Sequence, residues 1–211
     1  MMISASIYCE YIERAANAIA SQGDYVTQLD LETGDGDHWI NIHAGFQALC
    51  EMRNELEVGP MDICFKKIGM TLMRQIGGSS GVLYGSGYIA ASKSVENKQE
   101  IDLDTLFLAM QAMLDAIMAR GNAAPGMKTM IDVLAPAVTA YKQHREVCGS
   151  RQEILSKVEE AAQNGMKSTR DMPAVKGRAS YRLDKGVGHL DPGAVTMYIQ
   201  IKELCDYLCT L

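Results

Sequence analysis

Residues 102–121 read DLDTLFLAMQAMLDAIMARG. Leu103, Leu106, Phe107, Met110, Met113, Leu114 and Ile117 recur at three- and four-residue steps, so they fall on one stripe of a 3.6-residue period. Asp102 stands where an N-cap carboxylate accepts the first free N–H groups of a helix, and Gly121 is expected just after the last turn. The stretch therefore predicts an amphipathic helix with one buried face. The same period recurs along most of the chain. Eight helical segments are expected, near 5–23, 38–54, 61–76, 79–94, 102–120, 127–144, 150–169 and 192–210, the last opened by Asp191 as cap and Pro192 at the first helical position. No strand-length stretch alternates with period two, and no internal repeat appears. The expected fold is all-α, a one-layer bundle closed on itself.

A length of 211 residues suits one globular domain covering 1–211. Met is frequent at 14, while Phe at 3 and Trp at 1 are scarce, which favours packed helices over a β-sandwich. A formal net charge of −6 leaves no basic stripe for a phosphate backbone, so no nucleic-acid partner is expected. No run approaches the roughly 18 apolar residues needed to cross a bilayer. The opening segment lacks a basic leader and is interrupted by Glu10 and Glu13, so a cytoplasmic protein without a membrane partner is expected. Cys9, Cys50, Cys64, Cys148, Cys205 and Cys209 form no CxxC pair, and the pair four apart offers too few ligands for zinc. Buried thiols in a reducing compartment are the expectation.

Glycine and small polar residues gather in four links, at 30–37, 77–81, 121–126 and 177–193. Loops on a rigid helical frame commonly carry function, so the four suggest one composite site. The first contains Asp30, Asp35 and Asp37, with Gly34 and Gly36 between them. Offsets of five and two do not share a helix face, but a curled loop lets the carboxylates converge. At about 4 Å each pair repels by up to about 4 kcal/mol at an effective dielectric near 20. A divalent cation relieves that repulsion, and oxygen donors select magnesium, manganese or calcium over zinc. An EF-hand fails, because Trp39 and Phe46 fall at the fifth and twelfth positions counted from Asp35. The competing reading is an acidic helix connection with Asp37 as a simple N-cap.

Gly77-Gly78-Ser79-Ser80-Gly81 precedes a helix and is either an anion-binding turn or a Ser-capped start. Gly85-Ser86-Gly87 lies inside a helical stretch with no strand before it, so the dinucleotide pattern it imitates is set aside. Gly121-Asn122-Ala123-Ala124-Pro125-Gly126-Met127-Lys128-Thr129 is not a P-loop, because Met127 separates glycine from lysine. Lys128 either meets an anion or is a solvated lysine. Arg178 rides in a glycine-rich link that ends at Asp191, which either covers a ligand or is a mobile connection. His43 and His144 read as ordinary residues, while His38 and His189 adjoin the links of interest.

Together GDGDHWIN with Asp30 upstream, GGSSGVLYG, RGNAAPGMKTMIDVLAPAV and GRASYRLDKGVGHLDPGA resemble the ADP-binding L subunit of dihydroxyacetone kinases, in order, over about residues 25–200. The resemblance implies a closed barrel of antiparallel amphipathic helices with ADP or ATP and magnesium, two ions in all, at one end. It assigns Asp30, Asp35 and Asp37 to magnesium, His38 and Asn41 to the length of the nucleotide, and Ser79 and Ser80 to phosphate. Gly121 and Met130 would line the adenine pocket, and Arg178 with Asp191, Pro192 and Gly193 would close over the nucleotide. Met127 stands where the family more often has an acidic residue, Val82 where it often has proline, and Trp39 where a smaller residue is usual.

The resemblance further implies a phosphotransferase subunit that acts on dihydroxyacetone, or a related small ketose or polyol, held by a separate K-type subunit. An M-type subunit of the phosphoenolpyruvate phosphotransferase system would recharge its ADP, although exchange with free ATP is the other family mode. No residue of this chain is assigned to catalysis. A regulatory module that senses nucleotide without transferring phosphate is the alternative from another class. The substrate, the phosphoryl donor and the oligomeric state, a homodimer among the options, stay open. Trp39, beside the magnesium link, is expected either to meet a partner or to pack inward.

Overall fold

The apolar stripe at 102–121 does form a helix, in a computed structural model that describes residues 1–211. Asp102 caps it, accepting the Thr105 N–H at 2.8 Å. The left-handed closing residue is Asn122, at φ 45°, and not Gly121, which is the last helical residue. Asparagine tolerates this conformation better than most side chains do. Ten α-helices form in all: α1 Ala5–Ser21, α2 Gly23–Thr33, α3 His38–Glu51, α4 Arg53–Leu56, α5 Met61–Gln75, α6 Gly78–Ser94, α7 Leu103–Gly121, α8 Ile131–His144, α9 Arg151–Ser168 and α10 Pro192–Thr210. The all-α expectation holds. Two-residue strands, β1 Ile3–Ser4 and β2 Glu100–Ile101, pair antiparallel and are too short to show any periodicity.

Three expected boundaries change. The first segment ends at Ser21, and a separate helix, α2, follows it through Thr33. Asp30 is thus a helical residue and not a loop residue. The segment expected at 38–54 divides into α3 and the short α4. The segment expected from 127 starts at Ile131, because Lys128 takes a left-handed φ of 60° that no helix accommodates.

The chain gathers into two compact units, residues 1–17 with 41–122 and residues 18–40 with 123–211. In the first, α5, α6 and α7 pack in sequence through short links. Its centre is aromatic: the Tyr8 ring meets Phe65 edge-on at 4.9 Å, and the Tyr8 and Tyr88 hydroxyls share a hydrogen bond of 3.1 Å. Burial pushes the Tyr88 hydroxyl up to about 12. In the second unit, α8 packs on α9, α10 packs on both, and α2 packs on α10. Val26 and Leu29 of α2 are buried with Leu190 and Val195, and Trp39, Met166 and Ile199 pack around them. All six cysteines are free thiols; Cys9, Cys64 and Cys205 are buried as expected, while Cys50, Cys148 and Cys209 are only half-buried. No helix is long and apolar enough to cross a membrane.

The α8–α9 contact is set by one glycine. A Cβ at Gly165 would come within 2.0 Å of the Asp132 carbonyl oxygen and 2.9 Å of the Pro136 ring. Backbone and proline ring give little, so Gly165→Ala is expected to destabilise by about 2 kcal/mol or more through overpacking. At an unobstructed helix position the same change would stabilise by about 1 kcal/mol. Urea unfolding distinguishes the two signs, and a stabilised variant would show that α8 and α9 separate freely.

Candidate functional site

The second unit brings three acidic residues together. Asp30 lies on the last full turn of α2 and is buried, at 8 % exposure, while Asp35 and Asp37 follow in the exposed link to α3. One carboxylate oxygen from each lies within 4.8 Å of the others. The backbone enforces this. The Asp30 carbonyl accepts the Gly34 N–H, and Asp30 Oδ2 accepts the His38 N–H at 3.0 Å, so one residue closes α2 and opens α3. A Cβ at Gly34 would sit 2.4 Å from Asp30 Oδ1, so no larger residue fits that turn without moving the carboxylate.

The cluster is short of positive charge. Arg178 Nη2 stands 2.7 Å from Asp35 Oδ2 and 3.9 Å from Asp37 Oδ2. Burial, then the Asp35 charge, hold the Asp37 carboxyl above its ordinary range despite Arg178. At separations near 4.8 Å each carboxylate pair repels by about 3 kcal/mol at an effective dielectric near 20, less where water screens. Oxygen donors alone, one of them buried, suit a hard divalent cation such as magnesium and do not suit zinc.

His38 begins α3, and its Nε2 lies 2.9 Å from the Thr196 hydroxyl on α10. Burial lowers its pKa, so the ring is neutral at pH 7. At the start of α10 Asp191 accepts the Ala194 N–H at 2.8 Å, with Pro192 in the first turn, as the sequence predicts. Gly193 faces the same place: a Cβ there would lie 3.9 Å from the Met130 nitrogen and 4.0 Å from His38 Cε1. Met130 is buried.

Two of the four glycine-bearing links meet. Besides the Arg178 contact, His189 Nδ1 lies 2.8 Å from Glu32 Oε2. Lys128 is neither solvated nor turned toward a free space. It is 1 % exposed, and its ammonium donates to the Thr169 and His189 carbonyls. Asp132 holds the preceding turn, its two oxygens accepting the Gly126 and Thr129 N–H groups.

The other expected residues belong to the first unit. Ser79 and Ser80 occupy the first turn of α6, where the cap position is Gly77 and no side chain caps the helix. The Ser-capped reading of that turn therefore fails, and free N–H groups stand there. Asn41 is on α3 beside Gly77, so close that a Cβ on Gly77 would lie 2.8 Å from Asn41 Oδ1. Gly121 ends α7.

Thr196, Glu32 and Asp132 were not singled out from the sequence. Asp132 had a signal, since Thr129 followed by an acid three residues later is a capping pattern. Thr196 and Glu32 had none, because their partners lie more than 150 positions away. Trp39 takes the inward alternative: its indole N–H donates to the Ile19 carbonyl at 3.0 Å, and its ring covers Gly23.

A helical domain of this arrangement recurs among solved structures. The dihydroxyacetone kinase from C. freundii, crystallised with AMP-PNP and Mg2+, superposes with a TM-score of 0.74 at 24 % identity, covering 94 % of this chain and 33 % of that longer one. The DAK2 domain family matches residues 32–206, through both compact units, and the chain belongs to that family. It is 33 % identical over 204 residues to the PEP-dependent dihydroxyacetone kinase, ADP-binding subunit DhaL, of Escherichia coli, covering 97 % of each chain. It is 40 % identical over 169 residues to the PEP-dependent dihydroxyacetone kinase 1, ADP-binding subunit DhaL, of Listeria innocua, covering 80 % of this chain and 79 % of that one.

Asp191 gives the start of α10 a pH dependence. Burial pushes its carboxyl up to about 7, against the pull of the Ala194 N–H and the Lys128 charge. An unfolded aspartate titrates near about 3.9. The folded state thus binds more proton between those values, and this group's contribution to stability is full below about pH 4 and lost as pH rises through about 7. Asp191→Asn keeps a capping oxygen and removes the titration. Its stability relative to the parent is expected to rise from pH 4.5 to 7 and then level. Urea unfolding in chelator at stepped pH checks this, and a constant difference would return Asp191 to an ordinary carboxylate.

Proposed function

We propose that this chain is the single-domain, nucleotide-binding subunit of a dihydroxyacetone-kinase-type phosphotransferase, binding ADP or ATP with magnesium. The observation that carries the reading is the convergence of Asp30, Asp35 and Asp37 within 4.8 Å beside Arg178. Two relatives at 33 % and 40 % identity named as ADP-binding subunits support it. Asp30, Asp35 and Asp37 would hold magnesium, which when bound neutralises phosphate charge during phosphoryl transfer.

The chain's own residues then do the positioning. Neutral His38, fixed by Thr196, and Asn41 one turn further on α3 offer polar contacts along the nucleotide. Ser79 and Ser80 offer hydroxyls and N–H groups to phosphate at the start of α6. Met130 would line the adenine pocket, and Arg178, Asp191, Pro192 and Gly193 would cover the nucleotide. Arg178 is the cation free to follow charge on the phosphates, since its side chain is 64 % exposed and its present partners are the metal-binding carboxylates. Transfer in this reading goes to dihydroxyacetone, or a similar small ketose or polyol, held by a K-type subunit. An M-type subunit is the donor that regenerates ATP, in keeping with the PEP-dependent relatives.

Saturating Mg·ADP is expected to raise the melting temperature strongly, since a thousandfold excess over Kd contributes about 4 kcal/mol. Asp35→Asn and Asp37→Asn keep shape and lose charge, so both should stay helical by circular dichroism and lose most calorimetric affinity for Mg·ADP. Native affinity in both variants would reduce the link to an acidic connection. In a coupled assay with Mg·ATP and dihydroxyacetone, turnover is expected only when a K-type subunit is added. Turnover by this chain alone would overturn its assignment as a partial enzyme.

A further inference from the structure

The segment between α9 and α10 has no regular element beyond short 3-10 turns at Thr169–Asp171 and Arg178–Tyr181, yet it carries Arg178 to Asp35. Its two ends are tied at a neck. Gly188 N–H donates to the Arg170 carbonyl at 2.8 Å, and Asp191 N–H donates to Thr169 Oγ1 at 3.1 Å. Inside the neck stands Lys128, whose ammonium donates to one carbonyl on each side, Thr169 before the segment and His189 after it. The segment is tied to the same turn again, where Val175 N–H donates to the Met127 carbonyl at 3.3 Å.

This arrangement is costly, which argues that it is specified. A buried ammonium needs strong acceptors or it loses its charge. Burial lowers the Lys128 pKa, and the nearby Asp191, Asp171, Asp132 and Asp184 oppose the fall. Its backbone is held at φ 60°, a conformation rare for a residue with a side chain. Asp132 fixes that turn through the Gly126 and Thr129 N–H groups, so the strained backbone and the ammonium are set together. The ammonium is spent on carbonyl oxygens and not aimed at a phosphate.

The geometry points to Lys128 as the positioning residue of Arg178: a cationic staple across the neck of the 170–188 segment that sets where the arginine arm meets the acidic cluster. The inference rests on the proposed reading that Arg178 acts on nucleotide phosphate. It is distinct from direct anion binding by Lys128, which would make the two cations independent.

A double-mutant cycle separates these possibilities. Calorimetric Kd values for Mg·ADP are measured for the parent chain, Lys128→Met, Arg178→Ala and the double variant. If Lys128 works through Arg178, each single change weakens binding about tenfold and the double is no weaker than Arg178→Ala. A double variant weakened by the product of the two factors, about a hundredfold, overturns the inference, as does parental affinity in Lys128→Met. Should Lys128→Met not fold, Lys128→Arg keeps a cation on a misfitting fork and is expected to show the same non-additivity. Hydrogen exchange on the ligand-free proteins reads the staple without nucleotide: amides of 170–189 should exchange faster in the Lys128 variant while α9 and α10 stay protected. Unchanged exchange there overturns the staple. Failure of the parent chain itself to bind Mg·ADP would instead sink the functional reading on which the inference rests.

Discussion

Like charge held at close range is the constraint around which the second unit is arranged. Three carboxylates within 4.8 Å drift apart unless the chain prevents it. Here the prevention is local and backbone-driven. Asp30 is anchored by the end of one helix and the start of the next, and the turn at Gly34 admits no larger residue without displacing the Asp30 carboxylate. Around that turn sit Trp39 and Leu190, whose packing on Val26 and Leu29 keeps the end of α2 from fraying. The hydrophobic contacts therefore hold the helix end that carries the first carboxylate of the acidic cluster.

Much of the fold was legible because helices with a full apolar stripe need no tertiary information. The α7 segment, with Asp102 at its head, is such a case, as is α10 behind Asp191-Pro192. The stretch 23–33 was not legible as a helix. Residues 24–33 lay outside the expected segments, because Val26 and Leu29 alone make too short a stripe. What makes α2 helical is the α10 surface it packs against, supplied from more than 150 residues away. Lys128 shows the opposite failure. A glycine-proline loop ending in lysine invites a phosphate reading, and nothing local tells that its ammonium is consumed by two backbone carbonyls.

The candidate site residues were legible as types more than as contacts. Spaced carboxylates, a Gly-Ser turn and an arginine in a glycine-rich link each fit a plain connection when taken alone, and only their occurrence together, in order, singled them out. Their supports are different in kind. Thr196 beneath His38, Glu32 beside His189 and Asp132 under the Gly126 turn are ordinary residues made particular only by proximity. The left-handed cap shows the same limit at smaller scale, since glycine and asparagine stood side by side and the helix used the asparagine.

Each compact unit is assembled from two separated stretches of chain, and this sets an order in time as well as in space. During synthesis α2 is finished near residue 33, while α10, the surface that covers its apolar face, starts at residue 192. At ribosomal speeds of about 5–20 residues per second, that face waits on the order of ten seconds or longer. An isolated helix of eleven residues is marginal in water. The acidic turn that depends on α2 therefore forms among the last parts of the nascent protein, and neither unit is obtained by cutting the gene at a single point.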